Sequence, residues 1–286
     1  MMHAPVALVA SAVARALAED LEPIGDLTAA LLDQNIRASV VIASREHGVI
    51  AGQACVREAF IQVDPSIVVD IVVDDGGAVH PGDVVARVSG PMHSILSAER
   101  TALNFLGHLS GIATATAAMV AVVRDVSSTT RVLDTRKTTP GLRGLEKAAV
   151  RAGGGTNHRM NLSDAVLIKD NHIGVIGITE AVTKASAMWP GRSVEVECDH
   201  LSQVEEAARA GATSILLDNM SPDQAYEATL LARSLAPSIL VEVSGRITLD
   251  NAAAYAATGV DSISSGSLTH SVTCLDVGLD LTVEVL

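Results

Sequence analysis

The chain has 286 residues, 48% of them hydrophobic, and 20 Lys and Arg against 33 Asp and Glu give a formal net charge of −13. This length accommodates one large α/β domain or two ordinary ones, with a sizeable core. The acidic balance disfavours a general phosphate-backbone partner, and only five aromatic residues (Trp189, Phe60, Phe105, Tyr226 and Tyr255) are present to stack on bases, so no nucleic-acid partner is expected.

The first predicted element is an amphipathic helix, because Val6, Val9, Val13 and Leu17 fall at helical spacing ahead of Asp20-Leu21-Glu22-Pro23. The stretch from Pro5 to Ala18 has no Lys or Arg before its apolar run and is interrupted by Arg15, so it does not read as a signal peptide. Residues 38 to 90 carry short β-branched runs, at Ser39 to Ala43, Ile67 to Val73 and Val84 to Val88, separated by turn signals at Asp74-Asp75-Gly76-Gly77 and His80-Pro81-Gly82-Asp83. These predict a small mixed α/β unit. From Ser97 to Arg124 an Ala-rich helical run contains Leu103, Leu106, Leu109 and Ile112, with Gly111 marking a break. No run reaches the roughly 18 uncharged apolar residues of a membrane span. Cys55, Cys198 and Cys274 show no C-x-x-C spacing. They and Trp189 read as packing residues of a cytoplasmic protein with reduced thiols and no membrane partner.

Beyond residue 130 apolar runs alternate with helix-forming stretches. The runs are 131–134, 165–169, 194–197, 214–218, 239–243 and 262–265, and a helix led by Ser202 and closed by Gly211 is typical of what separates them. The beat is that of βα units in a parallel sheet, with an α/β barrel as the natural architecture. Most runs end in polar or ionisable groups, which such a barrel gathers at one mouth.

Between 131 and 172 eight Lys or Arg (Arg131, Arg136, Lys137, Arg143, Lys147, Arg151, Arg159 and Lys169) face four acids (Asp134, Glu146, Asp164 and Asp170) in an otherwise acidic chain. Arg143, Lys147 and Arg151, at helical spacing, read equally as a solvated helix face. Arg136, Lys137 and Lys169 end strands and imply an anionic small substrate. Gly153-Gly154-Gly155 lets the backbone approach a ligand, and His158 and Arg159 follow it. Glu195, Glu197 and Asp218 form an opposing arc that fits Mg²⁺ with substrate phosphate, ribose hydroxyls, or a structural ion-pair layer with Lys169. Ser244-Gly245 and Ser265-Gly266 follow the last two strands, where barrel phosphate sites sit.

Asp134-Thr135-Arg136-Lys137-Thr138-Thr139-Pro140-Gly141-Leu142-Arg143, the segment Glu146 to Arg159 and Leu167-Ile168-Lys169-Asp170-Asn171-His172 resemble the signature of the quinolinate phosphoribosyltransferase family. The likeness extends upstream through Glu99-Arg100-Thr101-Ala102-Leu103-Asn104 and downstream through Leu217-Asp218-Asn219 to Leu268-Thr269-His270-Ser271. It implies a mixed α/β N-terminal domain (1–112), an open seven-stranded α/β barrel (113–270) carrying the active site, and a tail (271–286) packing back on the first domain. It also implies a homodimer or higher oligomer with shared sites. The implied reaction joins quinolinate to phosphoribosyl pyrophosphate with Mg²⁺.

On matching positions, the resemblance assigns quinolinate to Arg136, His158 and Arg159, with Arg100 from a partner subunit. Lys137 and Lys169 would face pyrophosphate and substrate carboxylates, and Glu197 and Asp218 ribose and metal. Ser244, Gly245, Gly266 and His270 would hold the 5′-phosphate. Two departures stand out. Arg246 follows Ser244-Gly245 where the family has a second Gly, and Cys198-Asp199 differs from the usual pair after Glu197. Two other readings are a Schiff-base lyase using Lys169 and a molybdenum-transport accessory protein of similar sequence.

Overall fold

The structure, a computed structural model, describes residues 4–282. The first half of the described chain runs α1 (Val6–Leu21), β1 (Arg37–Ser44), β2 (Gly48–Val49), α2 (Gln53–Val63), β3 (Val68–Ile71), β4 (Ala78–Val79), β5 (Val84–Pro91) and α3 (Met92–Arg124). It continues with β6 (Arg131–Leu133), α4 (Arg143–Ala152), β7 (Val166–Ile168), α5 (Asp170–Ile176), α6 (Ile178–Met188), β8 (Val194–Cys198) and α7 (Leu201–Ala210). Then follow β9 (Ser214–Asp218), α8 (Pro222–Leu235), β10 (Leu240–Ser244), α9 (Leu249–Ala256), β11 (Ser262–Ser264), α10 (Ser267–His270) and β12 (Val277–Thr282). The described residues divide into two compact units, one of 4–117, 138–154 and 268–282, the other of Ala118–Lys137 and Gly155–Ser267.

The first unit is built on an antiparallel sheet in the order β12-β1-β5-β3. Strand alternation puts Val40, Ile42 and Val88 into a core shared with Val13 of α1, Phe60 of α2 and Leu106 of α3. Leu145, Ala149 and Val150 of α4 join the same core, so residues 138–154 cluster here although the sequence division assigns them to 113–270. Strand β12 pairs with β1 from Ser39↔Thr282 to Ser44↔Val277. Residues 283–286 of the expected tail lie outside the described residues.

Helix α3 starts at Met92, earlier than the Ser97 of the sequence reading, and runs through Gly111 without a break. The glycine serves a close approach instead, since a Cβ there would stand 2.2 Å from the Thr273 carbonyl oxygen. Nearby, the Leu275 N–H donates to the Gly107 carbonyl at 2.9 Å, seating the segment that leads into β12. Contrary to expectation, α3 is long and apolar enough to cross a membrane by length and composition, with 61% of its apolar window buried inside the protein. Cys274 and Trp189, read as packing residues, are exposed, Trp189 where the chain turns at the surface after α6. Cys55 and Cys198 are buried, and burial pushes each thiol up to about 12.

In the second unit each of the six apolar runs forms a strand, and all six pair in parallel in the order β6-β11-β10-β9-β8-β7. The sheet has one strand fewer than the seven expected. Beside β6, Thr156 makes a single parallel bridge to Leu133, too short to count as a strand. β9 is buried along Ser214 to Leu217, as expected of a parallel strand covered on both faces. Helix α8 begins with Pro222 at its first turn, after the Ser221 hydroxyl accepts the Gln224 N–H at 3.3 Å and the Gln224 side chain accepts the Ser221 N–H at 2.9 Å. Helix α7 starts at Leu201, and its leading residue is His200 rather than Ser202, with Gln203 Oε1 taking the Asp199 and His200 N–H groups. Gly211, at φ +89°, closes it as expected.

Candidate active site

The strands of the second unit end on one cavity of about 390 Å³, and its lining follows from the period of two along each strand. On β8, Val194, Val196 and Cys198 point to one face while Glu195 and Glu197 point to the other. On β10, Glu242 and Ser244 share a face, and Ser244 is in register with Asp218 of β9. Arg136 and Lys137 follow β6, Lys169 follows β7, and His158 and Arg159 follow the Thr156 bridge. Arg136, Lys137, His158, Arg159, Lys169, Glu197, Asp218 and Ser244 all line this cavity. Gly245 and Gly266 lie in the same unit, in the loops after β10 and β11. Arg100 and His270 belong to the first unit, both exposed, on α3 and at the end of α10.

The loop carrying His158 and Arg159 is tied down by a fully buried acid at the end of β6. Asp134 accepts the Asn157 side-chain amide at 2.6 Å and the His158 N–H at 2.9 Å. Arg159 Nη1 donates to the Ala165 carbonyl at 3.0 Å. Burial first, and the Arg136 charge second, pull the Arg159 guanidinium below its ordinary value, with Glu195 and Asp164 opposing. Crowding two guanidiniums in a half-buried site has an energetic cost that an anionic ligand relieves.

In the same cavity, the Lys169 ammonium is ion-paired with Glu197. Of the three readings of the acidic arc, the ion pair with Lys169 is therefore present, at Glu197. The Asp218 carboxyl is held above its ordinary value by burial and by Asp199, against the pull of Lys169 and Lys137. Asn219, which donates to the Asp218 carboxylate at 2.6 Å, has φ +55°, and Arg246 has φ +52°. Both are rare left-handed conformations for side-chain-bearing residues. The second explains why a glycine is favoured at position 246. Gly245, at φ +92°, has no room for a Cβ, which would fall 2.4 Å from Asn219 Oδ1.

The sequence reading missed Glu242, which lines the cavity at 4% exposure. Its signal was a lone acid between Val241 and Val243, in phase with Ser244. Burial first, and the neighbouring Glu195 charge second, push its carboxyl up to about 7. His158 Nε2 lies 3.0 Å from Glu195 and 3.5 Å from Glu242. These three residues bring possible metal-ligand atoms within 4.8 Å of one another. The Arg159 N–H, however, donates to His158 Nδ1 at 2.8 Å, so the ring proton sits on Nε2, which points at the acids as a donor and not as a metal ligand.

A cavity lined by Arg, Lys and carboxylates together, set at the C-terminal ends of parallel strands, is the arrangement that the motifs imply. The family described as quinolinate phosphoribosyl transferase matches through its N-terminal domain at residues 26–110 and its C-terminal domain at residues 112–280. The chain belongs to this family. It is 42% identical over 262 residues to the probable nicotinate-nucleotide pyrophosphorylase (carboxylating) of Bacillus subtilis, covering 91% of this chain and 89% of that protein. To the nicotinate-nucleotide pyrophosphorylase (carboxylating) of Mycobacterium leprae it is 43% identical over 279 residues, covering 94% and 95%. The solved nicotinate-nucleotide pyrophosphorylase from Francisella tularensis superposes with a TM-score of 0.92 at 39% identity, covering 97% of each chain.

Proposed function

We infer that this protein is a phosphoribosyltransferase of NAD biosynthesis, joining quinolinate to phosphoribosyl pyrophosphate and releasing pyrophosphate and CO₂ to give nicotinate mononucleotide. The observation that carries this reading is the gathering of Arg136, Lys137, Arg159 and Lys169 in one cavity with Glu197 and Asp218. The cations match a dicarboxylate together with a polyphosphate, and the carboxylates match a sugar ring that becomes positive as pyrophosphate departs.

Arg136, His158 and Arg159 take the quinolinate carboxylates. Lys137 and Lys169 face pyrophosphate and the remaining carboxylate. Ser244, Gly245 and Gly266 hold the 5′-phosphate. As the bond from C1 of the ribose to pyrophosphate breaks, the quinolinate nitrogen forms its bond to C1. The positive nitrogen of the resulting pyridinium stabilises the electron pair left on the adjacent ring carbon when its carboxylate departs as CO₂, and that carbon then takes a proton. The chain supplies positioning and charge, with no organic cofactor.

Glu197 and Asp218, on the neighbouring strands β8 and β9, are a donor set that fits Mg²⁺, an ion usually held by one or two carboxylates together with substrate phosphates. When bound, Mg²⁺ neutralises charge on the leaving pyrophosphate. The parallel sheet is read as an open barrel with its gap between Thr156 and β7. His158, beyond the Thr156 edge, reaches Glu195 on the second strand from the other edge, a contact that supports curling. A homodimer in which Arg100 of a second copy completes the site, working in the cytoplasm, accords with the exposure of Arg100 and with three free cysteines.

The lyase reading is disfavoured by the Lys169–Glu197 ion pair, which occupies the amine it needs. The molybdenum-transport reading gains no support from the relatives. The deciding assay supplies quinolinate and phosphoribosyl pyrophosphate and follows pyrophosphate and nicotinate mononucleotide. Turnover with quinolinate and not with nicotinate is expected, because nicotinate leaves one set of cations unmatched. Comparable turnover of nicotinate would overturn the carboxylate-matching argument.

A further inference from the structure

His158 is held at its backbone N–H and at both ring nitrogens, and the Arg159 N–H on Nδ1 fixes the direction of the ring bonds. Its N–H donates to Asp134, its Nδ1 accepts the Arg159 N–H at 2.8 Å, and its Nε2 therefore carries the proton that points to Glu195 at 3.0 Å. Glu195 Oε1 in turn accepts the Ser214 hydroxyl at 2.7 Å, which fixes the carboxylate on its strand. Glu242 approaches the same ring nitrogen from β10, at 3.5 Å, and its Oε1 is buried without a hydrogen-bond partner. Two buried acids on strands two places apart thus converge on one imidazole, and that imidazole is bonded to the backbone of the next residue, Arg159.

We propose that Glu195 and Glu242 are positioning residues of the transferase, holding His158 as its Nε2–H tautomer so that Nδ1 anchors the Arg159 backbone and fixes where the Arg159 side chain enters the cavity. The proposal rests on the reading of the cavity as the quinolinate site. Neither acid takes part in bond making. They act through His158 on the residue that recognises a substrate carboxylate, as preorganisation of a binding group by rigid strands requires. The ring has only two nitrogens, so a proton moved to Nδ1 would remove the Arg159 anchor and turn the face seen by Glu195 into an acceptor.

The test combines nitrogen NMR of histidine-labelled full-length protein with steady-state kinetics of Glu195→Ala, Glu195→Gln and Glu242→Ala. In the wild type, Nδ1 of His158 is expected to give an unprotonated signal and Nε2 a protonated one at neutral pH. Glu195→Ala is expected to raise the KM for quinolinate about tenfold, the loss of one buried hydrogen bond to a charged group, with the KM for phosphoribosyl pyrophosphate unchanged. Glu195→Gln, which can still accept the Nε2 proton, is expected to recover most of that loss, and Glu242→Ala to raise the quinolinate KM by a smaller factor. A His158 protonated at Nδ1 in the wild type overturns the proposal even if Glu195→Ala does not fold. So does an equal change in both KM values, or no recovery by glutamine. Absence of quinolinate turnover in the wild type would instead overturn the functional reading, while the tautomer is read without turnover.

Discussion

At the scale of single residues, the cavity joins two kinds of side chain that differ in what their loss does. Arg136 and Arg159 end at the cavity and lie outside the apolar core, so Arg136→Ala and Arg159→Ala are expected to fold normally and to weaken quinolinate binding at least tenfold, roughly what a charge-assisted bidentate contact contributes. Calorimetric titration of each variant, with circular dichroism as the folding check, measures this, and unchanged affinity in both would make the basic segment a solvated face. Glu242 behaves differently because it is buried. Its carboxyl titrates near 7 in the folded chain against an ordinary value of 4.5, so between those values the folded state holds an extra proton. Stability therefore falls as pH rises through that window, by at most roughly 1.4 kcal/mol per pH unit, and levels off above it. Glu242→Gln, a neutral mimic of the protonated acid, should lack this decline. Urea midpoints of both proteins from pH 4.5 to 8 decide it, and parallel curves would mean that Glu242 is ionised throughout.

The elements were legible to different degrees, for physical reasons. Most strands of the parallel sheet stood out because burial on both faces favours apolar runs, β8 by its alternation of Val and Glu, and the polar groups at the strand ends marked the cavity. Arg136, Lys137, Lys169, Glu197 and Asp218 were legible in this way. Glu242 was not, since one acid inside an apolar run looks like chance until its strand is placed between neighbours. The solvated-face reading of α4 failed at Lys147, which is fully buried. Its spacing with Arg143 and Arg151 says only that the three share a side of the helix, not what that side meets. Gly111 was misread as a break because sequence cannot distinguish a glycine that ends a helix from one that admits another backbone. Gly111→Ala tests the distinction. Removing an interior glycine normally stabilises a helix by about 1 kcal/mol, but here the added methyl meets the Thr273 backbone oxygen, which has no flexible end to move aside. The variant is expected to be less stable, by 1 kcal/mol or more, than the wild type in chemical denaturation. A gain in stability would show that the 273–275 segment shifts freely.

At the scale of the whole molecule, the assignment of Arg100 to a neighbouring copy has a direct test. Arg100→Ala and Lys137→Ala proteins should each be weakly active. Mixing them after dissociation should restore part of the wild-type turnover, since one of the two hybrid sites then carries both intact residues. Hybrids that demonstrably form without recovering activity would put Arg100 to work within its own chain. Chelation of divalent cations is expected to abolish turnover reversibly while leaving the fold unchanged.

The strand order has a consequence for biosynthesis. β6 finds its partner in β11, some 130 residues later, and β1 takes its outer partner from β12, later still. During vectorial synthesis both sheets wait, each with an unpaired edge, for strands that emerge near the end of translation. A nascent chain stalled before Ser262 would display the edges of β6, β10 and β1 together, so such stalled chains should engage chaperones much more than released ones. Premature stop codons even as late as position 270, which would spare every strand of the parallel sheet, should still yield an aggregation-prone product, because the edge of β1 stays uncovered.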